Sequence, residues 1–197
     1  MIGIFGGSFD PPHEGHLNIV LSFWENYPLA EKLIIIPNKL SPFKKRKSAN
    51  PENIIEMWNI LLGKKGITKT EISDIEIKSS ETNFTISTIL KLKKIEKNQD
   101  FYLLIGMDNL QSFPFWKDYT RILENVNLLV FRRPGYTEEI PLEVSEFKSK
   151  IHFLHNHYID ISSSDVRKNL EKNKNLIPKE IINYISEKGL YDFSKPN

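Results

Sequence analysis

Cysteine is absent from this chain of 197 residues, and its absence excludes several kinds of function. Without thiols the protein has no disulfide framework, no thiolate metal site and no cysteine nucleophile. An excess of charge of one sign is also missing, because 27 Lys and Arg stand against 25 Asp and Glu. The resulting net charge of +2 does not favour binding to nucleic acid or to an anionic membrane.

Long apolar runs are missing as well. Apolar runs such as LIII at 33–36 and LLVF at 128–131 are far short of the ~20 residues that cross a bilayer. The first residues lack the basic stretch and the cleavage site of a secretory signal, so we expect a cytoplasmic protein. The length suits a single domain, which we place over residues 1–197.

Apolar strand patterns alternate with helical patterns along the chain. Strands are predicted at 2–5, 32–37, 71–77, 101–106, 125–133 and 151–161. Helices are predicted at 14–28, 51–63, 84–95, 162–172 and 178–189. This alternation predicts the α/β class, with one doubly wound, mainly parallel sheet and helices on both faces. Ligands of such sheets bind beyond the carboxyl ends of the strands.

The first candidate cluster follows the first strand. Gly6 and Gly7 free backbone N–H groups to face a phosphate, and the next helix adds a partial positive charge at its N-terminus. His13 and His16 share one face of that helix, and Gly15 between them leaves room for close approach. Their ring N–H groups can stabilise charge on phosphate oxygens. A zinc site or two surface histidines are the alternatives on these residues alone.

The second cluster is ISSSDVR at 161–167. Ser162 and Asp165 have the spacing of a capping box at a helix N-terminus. Arg167 is expected in the first turn, where the helix dipole disfavours a cation, so we expect an anion there to offset its charge.

Several further residues have a structural and a functional interpretation. Lys44 lies in the basic run SPFKKRK, which suits either solvated surface or phosphate binding. Trp116 either packs in the core or stacks on a flat heterocycle. Arg132 and Arg133 suit a phosphate or a carboxylate, although one of the pair can equally serve a salt bridge.

Three histidines near the end of the chain, His152, His155 and His157, form a separate group. The last two share one face of a strand, which would allow a metal. Surface positions are the simpler interpretation, and we predict no metal ligands among the protein side chains.

With these clusters identified, the sequence resembles the HxGH-motif nucleotidyltransferases, and among them the bacterial nicotinate mononucleotide adenylyltransferases. The resemblance runs from Met1 to about Tyr191. The segments that carry it are GGSFDPPHEGHL, NFTISTIL, LIGMD, FPFW, LLVFRRPGY, ISSSDVR and LIPKEIINYISEKGLY. HxGH with ISSxxxR marks the superfamily, whereas FPFW and RRPGY indicate the nicotinate branch.

The chain departs from the family pattern at three places. Ser8 stands where threonine is usual, and Asn83-Phe84 replaces a Ser-Tyr pair. The family's P-P-H-K loop appears as Ser41-Pro42-Phe43-Lys44, which keeps the lysine but not the histidine. The loop change and the Asn83-Phe84 change affect contacts around the loop and the pyridine ring rather than the reaction.

The resemblance implies a Rossmann-like fold and adenylyl transfer from ATP, with Mg²⁺, to nicotinate mononucleotide. It implies that His13, His16, Lys44 and Arg167 are catalytic. The implied ATP-binding residues are Gly6, Gly7, Ser8, Phe9, His13, His16, Gly106, Asp108, Ile161, Ser162, Ser163 and Arg167. The implied residues for the mononucleotide are Lys44, Thr85, Trp116 and Arg133.

Other functions remain open at this point. A sister enzyme would use nicotinamide mononucleotide or phosphopantetheine as the acceptor. A non-catalytic nucleotide sensor on the same fold would keep the glycines and the serine cap. A nucleic-acid-binding protein would use KKRK, but the near-zero net charge and the lack of aromatic residues interleaved with basic ones disfavour it.

Overall fold

A computed structural model describes residues 1–38, 49–79, 83–132, 135–155, 159 and 161–191. Within these ranges six strands form one parallel sheet in the order β3-β2-β1-β4-β5-β6. The strands are β1 (Ile2–Gly7), β2 (Lys32–Pro37), β3 (Thr70–Ile72), β4 (Phe101–Gly106), β5 (Asn127–Phe131) and β6 (Ile151–Leu154). The direction of chain order reverses between β1 and β4, which creates a crevice at their carboxyl ends.

Helices connect the strands. They are α1 (Glu14–Asn26), α2 (Pro51–Lys65), α3 (Thr85–Ile95), α4 (Met107–Ser112), α5 (Tyr119–Asn125), α6 (Ser163–Lys168), α7 (Leu170–Asn173) and α8 (Lys179–Lys188). Short 3₁₀ helices occur at Phe113–Phe115, Leu142–Lys150 and Lys174–Leu176. No helix of the described ranges is long and apolar enough to cross a membrane.

The sheet is buried on both faces, as its continuous apolar strands predict. Alternate residues of β2 point to opposite sides: Leu33 and Ile35 join one hydrophobic core, whereas Ile34 and Ile36 join the other. Helices α1, α2 and α8 cover the first core, and α3, α4 and α5 cover the second. The prediction of a doubly wound sheet with helices on both faces is confirmed.

Helix boundaries follow local sequence rules. The side chain of Asn50 accepts a hydrogen bond from the backbone N–H of Asn53 at 2.9 Å, and Pro51 occupies the first helical position of α2. Gly66 ends that helix in the left-handed conformation, with φ of 65°. Gly189 ends α8 in the same way, with φ of 58°, as predicted.

The predicted strands 71–77, 125–133 and 151–161 were too long. The last ladder-type contact of β3 is the bond from Ser73 N–H to the carbonyl of Ile35, and the chain then turns. Strand β5 ends where Phe131 pairs with the last residue of β4, Gly106, and with the last residue of β6, Leu154. A strand ends where its neighbouring strands end, because its backbone then has no further hydrogen-bonding partner, even where its own apolar pattern continues.

The predicted helix 162–172 is also interrupted. Asn169 is extended, with φ of −156° and ψ of 93°, and its side chain accepts a hydrogen bond from the N–H of Lys172 at 2.9 Å. It therefore ends α6 and caps α7. Helices α4 and α5 were not predicted, because each is too short to show a helical repeat.

Candidate active site

A cavity of about 1100 Å³ opens at the carboxyl end of the sheet, beside β1 and β4. Most of the predicted site residues line it, although they come from distant parts of the chain. They are Gly6, Gly7, Ser8, Phe9, His13, His16, Thr85, Gly106, Asp108, Trp116, Ile161, Ser162 and Ser163. Lys44 and Arg133 lie outside the described residues.

The two histidines form a stacked pair at the start of α1. His13 is the N-cap residue and His16 the third helical residue, and their rings lie 3.7 Å apart at 24°. The backbone N–H of His13 donates to Nδ1 of His16 at 3.3 Å. Because Nδ1 accepts this bond, the neutral His16 ring carries its proton on Nε2. The pair therefore presents a hydrogen-bond donor at the cavity.

The ring of His16 is also fixed from the other side. Phe9 packs edge-on against it, with ring centres 4.9 Å apart, and Trp58 and Phe5 pack edge-on against Phe9 at 5.1 and 5.0 Å. Phe9 is only 1% exposed and has φ of 48°. Phe9 packs on three aromatic rings, so besides lining the cavity it helps to hold the ring of His16 in place. Trp58 and Phe5 carried no sequence signal beyond hydrophobicity.

Gly15 has a specific steric role between the histidines. A Cβ atom added there would lie 3.1 Å from the ring of His13 and 3.2 Å from the side chain of Ile161. The sequence suggested that this glycine leaves room for close approach. The approaching groups are the ring of His13 and the segment that precedes α6.

The capping box predicted before α6 is present. The hydroxyl of Ser162 accepts from the N–H of Asp165 at 3.1 Å, and the N–H of Ser162 donates to the Asp165 carboxylate at 3.2 Å. The Ser162 hydroxyl also donates to that carboxylate, which holds the pKa of Asp165 below its ordinary value. The cap fixes Ser162 and Ser163 at the cavity wall.

Helix α6 is joined to the turn after β1 by two further hydrogen bonds. The buried hydroxyl of Ser163 donates to the carbonyl of Pro11 at 2.9 Å. The guanidinium of Arg167 donates to the carbonyl of Asp10 and, at 3.2 Å, to the hydroxyl of Ser164. The two clusters recognised in the sequence therefore form one unit.

Arg167 does not lie in the first helical turn, so that prediction was wrong. Helix α6 has six residues, and Arg167 lies in its last turn, where the helix dipole favours a cation. Its side chain lies behind Ser164, which lines the cavity, and does not itself form part of that lining. No anion is needed to offset an unfavourable dipole.

The opposite wall of the cavity comes from α3 and from the segment after α4. Thr85 is the first residue of α3, and Trp116 packs against Phe113 with ring centres 5.1 Å apart. Two charged residues that the sequence analysis missed also line this wall, Glu76 and Lys117. The Glu76 carboxylate accepts from the hydroxyl of a residue of α3, Thr88, at 2.7 Å.

Two further predicted residues meet at the end of β4. A Cβ atom on Gly106 would lie 2.5 Å from Oδ1 of Asp108. Only glycine therefore leaves the Asp108 carboxylate in its present position at the cavity.

The remaining candidates are Arg132 and the histidines near the end of the chain. Arg132 lines the cavity, forms an ion pair with Glu138 and lies 2.6 Å from Nδ1 of His155. His152 is exposed, and His157 lies outside the described residues. The described part of the chain contains no group of three or more His, Cys, Asp or Glu that could hold a metal ion.

Comparison with known proteins agrees with this arrangement. Residues 4–169 match the family model described as cytidylyltransferase-like. A probable nicotinate-nucleotide adenylyltransferase of Leptospira interrogans is 42% identical over an alignment of 199 positions. The alignment covers 97% of this chain and 96% of the relative. A probable enzyme of the same name from Clostridium tetani is 36% identical and covers 95% of this chain and 97% of the relative.

A solved structure shares the fold. The Plasmodium falciparum nicotinic acid mononucleotide adenylyltransferase complexed with NaAD superposes with a TM-score of 0.81 at 22% identity. The match covers 98% of this chain and 97% of that one. The chain therefore belongs to the cytidylyltransferase-like family and, within it, to the nicotinate-nucleotide adenylyltransferases.

Proposed function

We propose that this protein transfers the adenylyl group of ATP to nicotinate mononucleotide, which yields nicotinate adenine dinucleotide and pyrophosphate in NAD biosynthesis. The observation that carries the proposal is that one cavity has the His13–His16 pair on one wall and Thr85 with Trp116 on another. A dinucleotide-forming reaction needs sites for the triphosphate and for the acceptor nucleotide in the same cavity, and an aromatic side chain suits a pyridine ring. Residues 1–197 would form one nucleotidyltransferase domain, working in the cytoplasm where ATP is supplied.

The reaction needs no side-chain nucleophile. An oxygen of the mononucleotide phosphate attacks the α-phosphorus of ATP in line, and the bond from that phosphorus to the bridging oxygen of the β-phosphate breaks. Pyrophosphate leaves with the electron pair of that bond. Catalysis then consists of positioning and of stabilising charge on the phosphate oxygens. The Nε2–H of His16 would serve the second purpose, with its ring held between His13 and Phe9.

The other roles follow from position in the cavity. Backbone N–H groups of Gly6, Gly7 and Ser8 would face the phosphates at the end of β1. Gly106 and Asp108 would border the adenosine, with Asp108 on a ribose hydroxyl. Ile161, Ser162 and Ser163 would form the wall beside the nucleotide.

The acceptor and its phosphate would meet a different set of residues. Thr85 would contact the pyridine nucleotide, and Trp116 would stack on its ring. The roles of Lys44 on phosphates and of Arg133 on the mononucleotide rest on the family resemblance. Arg167 does not line the cavity but donates to Ser164, which does, so it would act on phosphates from beside that residue.

Nucleotidyltransferases that use ATP generally work with a divalent metal ion, and we propose Mg²⁺ here. Mg²⁺ binds chiefly through substrate phosphate oxygens and retained waters, with few protein ligands. The cavity suits such a cation, since the carboxylates of Asp108 and Glu76 are among the groups that line it. When bound, Mg²⁺ would neutralise charge on the triphosphate.

The test is pyrophosphate release by the purified protein with Mg²⁺ and ATP. Nicotinate mononucleotide, nicotinamide mononucleotide and phosphopantetheine are compared as acceptors. We expect release with the nicotinate nucleotide and at least about tenfold less with the other two, a difference of about 1.4 kcal/mol in transition-state binding. Preference for another acceptor would overturn the assignment of the pyridine wall. Absence of release from folded protein that still binds ATP would support the sensor.

A further inference from the structure

Asp10 is a buried carboxylate that does not line the cavity. It is 3% exposed and lies at the turn between β1 and α1, three positions before His13. Its Oδ1 accepts a hydrogen bond from the hydroxyl of Tyr191 at 2.7 Å and one from the backbone N–H of Ala49 at 3.1 Å. A carboxylate is removed from water only when such donors compensate it.

A cation completes the surroundings of Asp10. Nη1 of Arg167 lies 3.9 Å from Oδ2 of Asp10 and also donates to the Asp10 carbonyl. Arg167 therefore contacts both the backbone and the side chain of the same residue. The guanidinium is held against the turn that leads to the catalytic pair.

Tyr191 is suited to remain a donor. It is 9% exposed, and burial together with the neighbouring Asp10 raises the pKa of its hydroxyl. The hydroxyl therefore keeps its proton at physiological pH and donates it to the carboxylate.

Four distant segments consequently meet at Asp10. They are the turn after β1, the residue that follows segment 39–48, helix α6 and the end of the described chain at Tyr191. Two elements to which the proposed function assigns catalytic groups, the histidine-bearing turn and α6, thus meet at this one buried residue.

We propose that Asp10 is a positioning residue for adenylyl transfer, which holds Arg167 and the histidine-bearing turn in working geometry, and that Tyr191 orients the Asp10 carboxylate. The proposal rests on the proposed function. It predicts that loss of the charge or of the tyrosine hydroxyl lowers kcat while the Michaelis constants for both substrates change little.

The first variant is Asp10→Asn, which preserves shape and one acceptor oxygen but removes the charge that faces Arg167. We expect kcat to fall roughly 10- to 100-fold, the scale for misplacement of catalytic groups, with both KM values within about threefold. The second variant is Tyr191→Phe, which removes one hydrogen bond, and we expect kcat to fall about two- to tenfold.

Tyr184→Phe is the matched control. The hydroxyl of Tyr184 also ties the C-terminal part of the chain to a neighbour, since it donates to the side chain of Asn53 at 2.9 Å. Neither residue lines the cavity. We expect Tyr184→Phe to leave kcat unchanged and to lower Tm by less than Tyr191→Phe, because its hydroxyl is partly exposed and its acceptor is uncharged.

Hydrogen–deuterium exchange provides a readout that does not depend on activity. Faster exchange over residues 8–17 in Tyr191→Phe but not in Tyr184→Phe would support positioning even if the acceptor has been misassigned. Wild-type kcat in folded Asp10→Asn, or equal kcat losses in the two tyrosine variants, would overturn the proposal. If Asp10→Asn does not fold, the comparison of Tyr191→Phe with Tyr184→Phe is sufficient to test the proposal. Failure of wild-type pyrophosphate release would count against the proposed function only.

Discussion

The two walls of the cavity are built by different means. On the phosphate side His13 is 4% exposed, and its neighbours are fixed by ring packing, a capping box and hydrogen bonds from α6 to the turn after β1. On the pyridine side Phe84, which has no hydrogen-bonding side chain, stands at the N-cap of α3, and Phe115 beside Trp116 is 85% exposed. One wall is preorganised by many protein contacts, whereas the other combines an exposed apolar ring with the charged side chains of Glu76 and Lys117. Substitutions on the first should change kcat, and those on the second should change KM.

The largest effect is expected from His16→Ala. Loss of one donor to the transition state should reduce turnover roughly 10²- to 10³-fold, while the protein remains folded. The measurement is kcat for pyrophosphate release, with circular dichroism to check folding. His152→Ala, at an exposed position on β6, is the control and should keep wild-type activity. Near-normal turnover in His16→Ala would remove this residue from the mechanism.

A smaller loss is expected from Gly15→Ala. The added Cβ would lie 3.1 Å from the His13 ring and 3.2 Å from Ile161, so the histidine or α6 must shift. We expect kcat to fall about tenfold, since small displacements of catalytic groups are costly. Gly63→Ala in α2 is the matched control, because its Cβ would meet nothing within 4 Å. It should leave kcat unchanged and stabilise the helix by about 0.5–1 kcal/mol. Equal kcat values for both variants would show that the phosphate wall tolerates movement.

Trp116→Ala tests the pyridine wall. Loss of an aromatic contact should raise KM for nicotinate mononucleotide about two- to tenfold, with a smaller change for ATP. Steady-state kinetics with each substrate varied in turn measure both constants. Equal increases for the two substrates would indicate that Trp116 acts as a core residue through its packing on Phe113.

The smallest effect is expected from Ser162→Ala, measured as stability. Loss of the cap should lower the free energy of unfolding by about 0.5–2 kcal/mol at neutral pH. The folded pKa of Asp165 is lowered, so its contribution is present above the unfolded pKa and is lost as pH falls through the folded value. Denaturant titrations should therefore show the difference between wild type and variant shrinking below about pH 4. A difference that stays constant with pH would mean that the carboxylate takes no part in the cap.

Local patterns predicted the fold well where burial is complete. Strands β2 and β4 begin and end at the predicted residues, because each contains a continuous apolar run that Pro37 or Gly106 terminates. The capping box of Ser162 and Asp165 was equally predictable, since its bonds join residues three positions apart. The ends of β3, β5 and β6 were not, because pairing with neighbouring strands sets them.

The candidate site, like the fold, was predictable where short local patterns mark it and not where distant residues meet. The histidine pair and the serine cap were recognisable from short motifs, and the rule for parallel sheets placed them at one edge. The bonds of Arg167 and Tyr191 to Asp10 join residues 157 and 181 positions apart, and no periodic pattern marks them. The packing of Trp58 behind Phe9 was hidden for the same reason, because core and site aromatics look alike in a sequence.

The hydrogen bond from Ser163 to Pro11 joins residues 152 positions apart. During synthesis on the ribosome β1 and both histidines emerge first, whereas α6 follows all the other strands of the sheet. A contact of such long range can form only after α6 has been synthesised, and the entropy of closing so long a loop delays it further. A chain whose synthesis stops before α6 therefore has both histidines but lacks the part of the cavity wall that α6 and the residues before it provide.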